Sequence, residues 1–332
     1  EIIHAKNRKF LLALGGGGNG EGFPVVVASA DLRKKFINNL IKICEDYGYD
    51  GVDIDWEQPK SATERSNLNL LISEMDSIFY AYNPNLLITM AVPISNWSGQ
   101  WYDFYTLKQH IDFFNAMTYG THGAWSSREG HLAPLYPSPL DDLDGSCDEN
   151  MDYLHFSRGI PKDKINMGMP FWGLKWKASN INETFANNSE NIFYYDIPGN
   201  GWSYHWDGDA LCPYLIGYDG SLVITYENPE SIAFKCQYVI EEGLGWVIIL
   251  ALSYDKKEYG QELIHAISEN YLKSFQDKVA MPRLTSLSTY PNPFNLFCFI
   301  KFQLEKSQFV KIKVHDLLGT EIQLLNNETL PS

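Results

Sequence analysis

At 332 residues the chain exceeds a typical single domain, and its 45% hydrophobic and 20% charged residues fit a large globular body with a smaller companion. A formal net charge of −15 repels phosphate backbones and excludes nucleic acid as a natural partner, while a neutral polysaccharide is compatible with it. No run of about twenty apolar residues is present to form a transmembrane helix.

The first segment, residues 1–10, has no initiator Met and no signal-peptide character, so a removed leader or a fragment is expected. Residues 10–14 form a short apolar run ending in the cluster Gly15 to Gly18, which reads as a buried strand and a loop. Ser29, Ala30 and Asp31 open a helix with apolar residues at Phe36, Leu40, Ile41 and Cys44, and Gly48 closes it. The next strand starts near Gly51. Further strands are predicted at 87–92, 113–117, 165–171 and 246–252, with helices at 66–82 and 229–242. Such alternation indicates βαβ units, and near-continuous apolar strands indicate a sheet covered on both faces.

Residues 173–244 interrupt the alternation with a Tyr-, Trp-, Asn- and Gly-rich stretch, long enough to be a functional insertion with structure of its own. After Met281 and Pro282 short β-strands are predicted at 299–304 and 310–315 around a Pro-Asn-Pro turn, which places a domain boundary at 278–284. Five cysteines, Cys44, Cys147, Cys212, Cys236 and Cys298, show neither C-x-x-C spacing nor a His pair, so no zinc site is expected. Most read as buried small hydrophobes. Cys212 and Cys236 are a candidate bridge that the sequence does not establish.

The chemistry-bearing segment runs from Asp50 to Glu57. Alternate residues of a strand share a face, so Asp53, Asp55 and Glu57 project together while Val52, Ile54 and Trp56 face the helices. In a parallel barrel this sets three carboxylates near the C-terminal end of a strand, where barrel enzymes keep their chemistry. Stacked acids in a low-dielectric interior share a proton, which raises at least one pKa and yields a general acid near neutral pH. A purely structural ladder would need buried Arg or Lys on neighbouring strands, and none is there. A calcium loop would need Gly and polar residues where Val52, Ile54 and Trp56 stand.

These residues resemble the D-x-x-D-x-D-x-E signature of glycoside hydrolase family 18, the chitinase family. Other segments follow in family order. Ala13 to Gly16 resembles its S-x-G-G strand with Ala for Ser, Met117 to Tyr119 its M-x-Y, and Gly123 to Trp125 the aromatic turn after it. Gly168 to Trp176 resembles strand seven, and 206–214 with 226–231 the α+β insertion. The likeness spans about residues 8–270. It implies an α/β fold, a (β/α)8 TIM barrel over 1–278 with the insertion at 173–244. The first visible strand resembles the family's third, so two N-terminal strands are expected to be missing, and six strands cannot close an eight-stranded barrel.

The resemblance implies that Glu57 protonates the glycosidic oxygen while the substrate's acetamido oxygen attacks the anomeric carbon, with retention. Asp55 would orient that acetamido, Asp53 would share a proton with Asp55, and Tyr119 would hydrogen-bond the acetamido oxygen. Asp50, of opposite parity, would support the strand. Met117, Trp125, Trp172 and Trp97 are candidate substrate-binding residues, with Trp101 a further one. For the tryptophans a core role competes with a sugar-stacking role, except Trp125, which is assigned to the site. No metal or cofactor is expected. The partner implied is chitin or N-acetylglucosamine oligosaccharides.

Three departures stand out. Gly120 replaces the family's Asp after M-x-Y. The strand-seven Tyr and Arg positions near Trp172 and Leu174 lack that polar pair. Leu250 takes the place of the strand-eight Trp that floors the cleavage subsite. Weakened or altered hydrolysis is expected, and a lectin-like member that binds glycan without cutting is the competing reading. A non-enzymatic surface scaffold is a third, and it leaves the acid stack unexplained. Residues 284–332 (Tyr290 to Asn295, Ile300 to Phe302 and Val310 to Gly319) resemble the β-sandwich sorting domain of type IX secretion in Bacteroidetes-like bacteria. That implies outer-membrane secretion machinery as a partner and a secreted or cell-surface protein; a fibronectin-like spacer is the alternative.

Overall fold

A computed structural model of the chain describes residues 2–140, 145–184, 189–257 and 260–272, and the backbone of strands at 286–290, 299–303, 308–315 and 321–330. It divides into two units, Glu1–Tyr271 and Leu272–Ser332.

In the first unit the strands are β1 (Leu12–Gly15), β2 (Gly51–Asp55), β3 (Leu87–Val92), β4 (Phe113–Ala116) and β5 (Ile165–Pro170). The inserted β6 (Trp172–Trp176), β7 (Ser189–Phe193), β8 (Trp202–Asp207), β9 (Cys212–Gly217) and β10 (Val223–Thr225) follow, and then β11 (Val247–Leu250). Strands β1, β2, β3, β4, β5 and β11 pair in that order, all parallel, as a half-barrel. Among the described residues β1 and β11 pair on one side only, so the sheet is open, as the strand count anticipates. Apolar side chains at the β11 edge stand partly in solvent, Leu250 at 42% exposure and Leu252 at 57%. The inserted strands form a separate antiparallel sheet in the order β7-β6-β10-β9-β8.

Sequence chemistry sets the helix ends. Ser29 accepts from the Leu32 N–H, and Gly48, in the left-handed conformation, ends Ala30–Tyr47. The helix expected from Ser66 begins at Ala62 instead, because Ser61 accepts from Glu64 N while the Glu64 carboxylate accepts from Lys60 N. Asn228 and Ser231 close a reciprocal cap on Pro229–Glu242. Val52, Ile54 and Trp56 are buried in one core with Ile37, Leu40, Leu71 and Met75 of the covering helices. Among the described residues no helix is long and apolar enough to cross a membrane.

The loop after β4 is tied to the insertion at several points, His131 and Ser138 to Asp207 and Leu135 N to Ala210 O among them, and one carbonyl gathers several donors. The Ala133 oxygen accepts from Lys235 Nζ (2.6 Å) and Cys212 Sγ (3.4 Å); Cys147 Sγ lies 3.9 Å from it and closer, at 3.6 Å, to the Thr118 carbonyl. Lys235 is itself fully buried and ion-paired to Glu227. The candidate Cys212–Cys236 bridge is not formed: Cys44, Cys147, Cys212 and Cys236 are all free and buried, because these thiols serve as core residues and weak donors.

In the second unit β12 (Ser286–Tyr290) pairs antiparallel with β13 (Phe299–Gln303), and β14 (Gln308–His315) with β15 (Glu321–Leu330). These are two separate two-stranded sheets, so the expected sandwich is not among the described strands. The Pro-Asn-Pro turn, Cys298 and the boundary at 278–284 lie outside the described residues.

Candidate active site

The site starts from the parity of β2. Val52, Ile54 and Trp56 are buried against the helices, which turns Asp53, Asp55 and Glu57 to the opposite face. The glycine loop leaves that face open. Gly15 has φ +107°, and a β-carbon there would fall 2.1 Å from the Asp55 carbonyl oxygen, so no other residue fits. The next amide, Gly16 N–H, donates to that oxygen at 2.8 Å. At the exit of β2 the Trp56 carbonyl accepts from the Tyr102 hydroxyl at 2.6 Å, which fixes the backbone beside Glu57.

Asp53 is the best-partnered of the three. Its Oδ1 accepts from Thr89 Oγ1 on β3 and from Asn115 Nδ2 on β4 (2.8 Å). Burial raises its pKa, and these two donors oppose the rise. Asp55 has no such help: its Oδ1 is buried and accepts no hydrogen bond from the described residues. Burial, then the charges of Glu57 and Asp53, push its carboxyl up to about 6. Burial also raises Glu57, although its side chain reaches solvent, which screens the effect. Among the described residues no basic side chain pairs with any of the three.

Tyr119 follows β4 on the same side. Burial, then the charges of Asp55, Glu57 and Asp53, raise its phenol, which stays a hydrogen-bond donor at neutral pH. Its ring meets Trp172 edge-on, with centroids 5.0 Å apart. Gly168 on β5 makes room for it, since a β-carbon there would lie 2.7 Å from the ring. Asp50, of opposite parity, accepts from Phe10 N and His4 Nε2, the strand-supporting role its position implies.

Trp97 and Trp125 line a cleft of about 680 Å³ with Ile94, Ser95, Gly120 and Thr121. Both are exposed, at 78% and 75%, so the core alternative does not apply to Trp97. Met117 and Trp172 are half-buried, as is Trp101. Gly120 has φ +70° and open space where a side chain would start. Among the described residues no cluster of three or more His, Cys, Asp or Glu could hold a metal ion. Sequence reasoning missed Thr89, Asn115 and Tyr102. Asn115 shares strand parity with Met117 two residues on; Thr89 and Tyr102 carry no local signal.

Chemically, the arrangement offers a carboxyl that titrates near neutral pH, a solvent-reaching carboxyl beside it, and a protonated phenol facing both. Comparison with known proteins adds to this. The family model for glycosyl hydrolases family 18 matches residues 2–255. A probable endochitinase of Caenorhabditis elegans is 32% identical over 275 residues, 74% of this chain and 44% of that protein. Chitinase 1 of Aphanocladium album is 30% identical over 268 residues, 76% of this chain and 63% of that protein. The chain thus spans about half the length of these relatives. Among solved structures, an immunomodulatory active chitinase from Trichuris suis superposes with a TM-score of 0.73 at 26% identity, covering 81% of this chain and 82% of that one. The Ostrinia furnacalis Group II chitinase catalytic domain 2 shares the fold at a TM-score of 0.76 and 22% identity, over 82% and 80%. Because the family model covers well over half of its residues, the chain belongs to glycosyl hydrolases family 18.

Proposed function

We propose that this protein hydrolyses β-1,4-linked N-acetylglucosamine polymers, chitin or its oligosaccharides, by substrate-assisted retaining catalysis. The observation that carries the reading is the unpaired acid stack of β2, with Glu57 intact at its solvent end and Asp55 titrating near 6 beneath it. Glu57 donates its proton to the glycosidic oxygen. The acetamido oxygen of the sugar attacks the anomeric carbon, and the bond to the leaving sugar breaks. Asp55 faces the acetamido N–H, and the negative charge that it shares with Asp53 balances the positive charge that develops on the ring so formed. Tyr119 donates to the acetamido oxygen, and Trp97 and Trp125 offer stacking faces along the cleft. Water then opens the ring intermediate, with Glu57 as base, which restores the acid.

The test is hydrolysis of a fluorogenic chitobiose or chitotriose glycoside by the chain and by Glu57→Gln. Release that disappears in the variant supports the reading; release that persists removes Glu57 from its role. A second reading, a lectin-like member that binds without cutting, is favoured by Leu250 in place of a floor aromatic and by Gly120. Absent turnover with retained oligosaccharide affinity would establish it. For the C-terminal unit we propose a sorting role, with export to the cell surface or medium; fusion of residues 272–332 to a reporter in a type IX-competent bacterium tests it.

A further inference from the structure

Asn166, on β5, belongs to no part of the mechanism above, yet it touches the acid stack at one remove. Its Nδ2 donates to Asn115 Oδ1 at 2.8 Å, and Asn115 Nδ2 donates in turn to Asp53 Oδ1 at 2.8 Å. The two amides are register partners across β4 and β5. Asn166 is only 6% exposed, and its own Oδ1 is buried and accepts nothing from the described residues. Gly245 lies against that oxygen, where a β-carbon would approach to 2.8 Å. An unpartnered buried acceptor costs stability, and what the side chain gives in return is the N–H that satisfies Asn115 Oδ1.

We propose that Asn166 is a positioning residue for the acid stack, acting through Asn115 to keep Asp53 the anionic member while Asp55 carries the proton. The reason is the asymmetry of an amide. Asn115 can present Asp53 with either its N–H or its carbonyl oxygen. The first suits a carboxylate and the second only a protonated acid. Asn166 biases that choice, because its N–H holds the Asn115 oxygen away from Asp53. Reversing Asn115 would turn its N–H toward the N–H of Asn166, so both amides must turn together. Thr89 imposes no such choice, since a hydroxyl serves as donor or acceptor. The titratable groups near Asp53 are Asp55 and Glu57 on its own chain segment and Tyr119 after β4. Strand β1 contributes Ala13 opposite Asp53, β3 contributes Thr89 and β5 contributes Asn166, none of which ionises.

The inference deepens the proposed mechanism and rests on Asp53 belonging to the acid stack, but its test reads proton affinity and not turnover. Carbon-13 titration of aspartate-labelled protein, with Asp53 assigned through Asp53→Asn, gives the Asp53 midpoint. In Asn166→Leu that midpoint should rise by about one pH unit, a tenfold gain in proton affinity, accompanied by a lower melting temperature because Asn115 loses a partner. A folded variant with an unmoved midpoint overturns the proposal, as does a loss of stability alone. The unmodified chain supplies a second check that needs no variant: the Asn115 side-chain amide signals should move with the Asp53 midpoint, and signals that do not follow it overturn the proposal too. Failure to cleave chito-oligosaccharides would instead strike the proposed function and leave this titration to be judged by itself.

Discussion

Two groups of buried carboxylates in this chain are treated in opposite ways. At the junction with the inserted sheet, Glu227 is 1% exposed and pairs with the fully buried Lys235, and its other oxygen accepts from Ser231 Oγ at 2.7 Å. Nearby Asp207, although burial pushes it up, is pulled well below the ordinary range by His131, Ser138 and the Ala210 N–H. On β2 the reverse holds: Asp55 is left without a donor on Oδ1 and faces two other acids. A fold neutralises its structural acids. Those it leaves unneutralised are where proton chemistry is to be sought.

The contrast can be broken from either side. The largest effect should come from Lys235→Met, which strands Glu227 without a counter-charge; a loss of about 3–5 kcal/mol is expected by denaturant unfolding. Adding Glu227→Leu should recover much of it, because the pair is then replaced by apolar packing. Glu57→Gln should lower kcat by about 10²–10⁴-fold on a fluorogenic chito-oligosaccharide, with little change in melting temperature.

Asp55→Asn should do the opposite of Lys235→Met. The folded-state pKa of Asp55 is raised, to about 6, so its ionisation destabilises the fold as pH rises from about 4 through about 6. The variant should therefore match the parent at pH 4 and exceed it by about 1–3 kcal/mol at pH 8, while losing activity at both. A melting-temperature difference that does not grow with pH would remove the coupling assigned to Asp55. The smallest effect concerns Leu250, at the end of β11. Leu250→Trp should tighten chito-oligosaccharide binding by roughly 1 kcal/mol, read by calorimetry on a Glu57→Gln background.

The acid strand was legible because parity is a local property: the alternation of Val52, Ile54 and Trp56 with the acids fixes both faces of β2. The parallel strands were legible from apolar runs alternating with helical segments and the insertion from the break in that alternation, while the barrel expectation came from the family resemblance. What surrounds the acids was not. Thr89, Asn115 and Asn166 come from three different strands, and their meeting depends on inter-strand register that no single segment encodes. Trp97 reads alike as core or cleft until the fold sets it beside Trp125. Lys235 gave a signal that could have been used. It interrupts the apolar row of Ile232, Cys236 and Val239, and a charge on a buried stripe calls for a partner such as Glu227, eight residues earlier.

The shared Ala133 carbonyl has a kinetic consequence. Cys147 and Cys212 both pack beside it, and burial pushes the Cys147 thiol up to about 11 and Cys212 well above its ordinary value. In the closed fold neither sulfur ionises or meets solvent, so neither reacts with a small alkylating reagent. Their labelling rate is therefore a clock for the junction, ticking only when the loop after β4 parts from the inserted sheet.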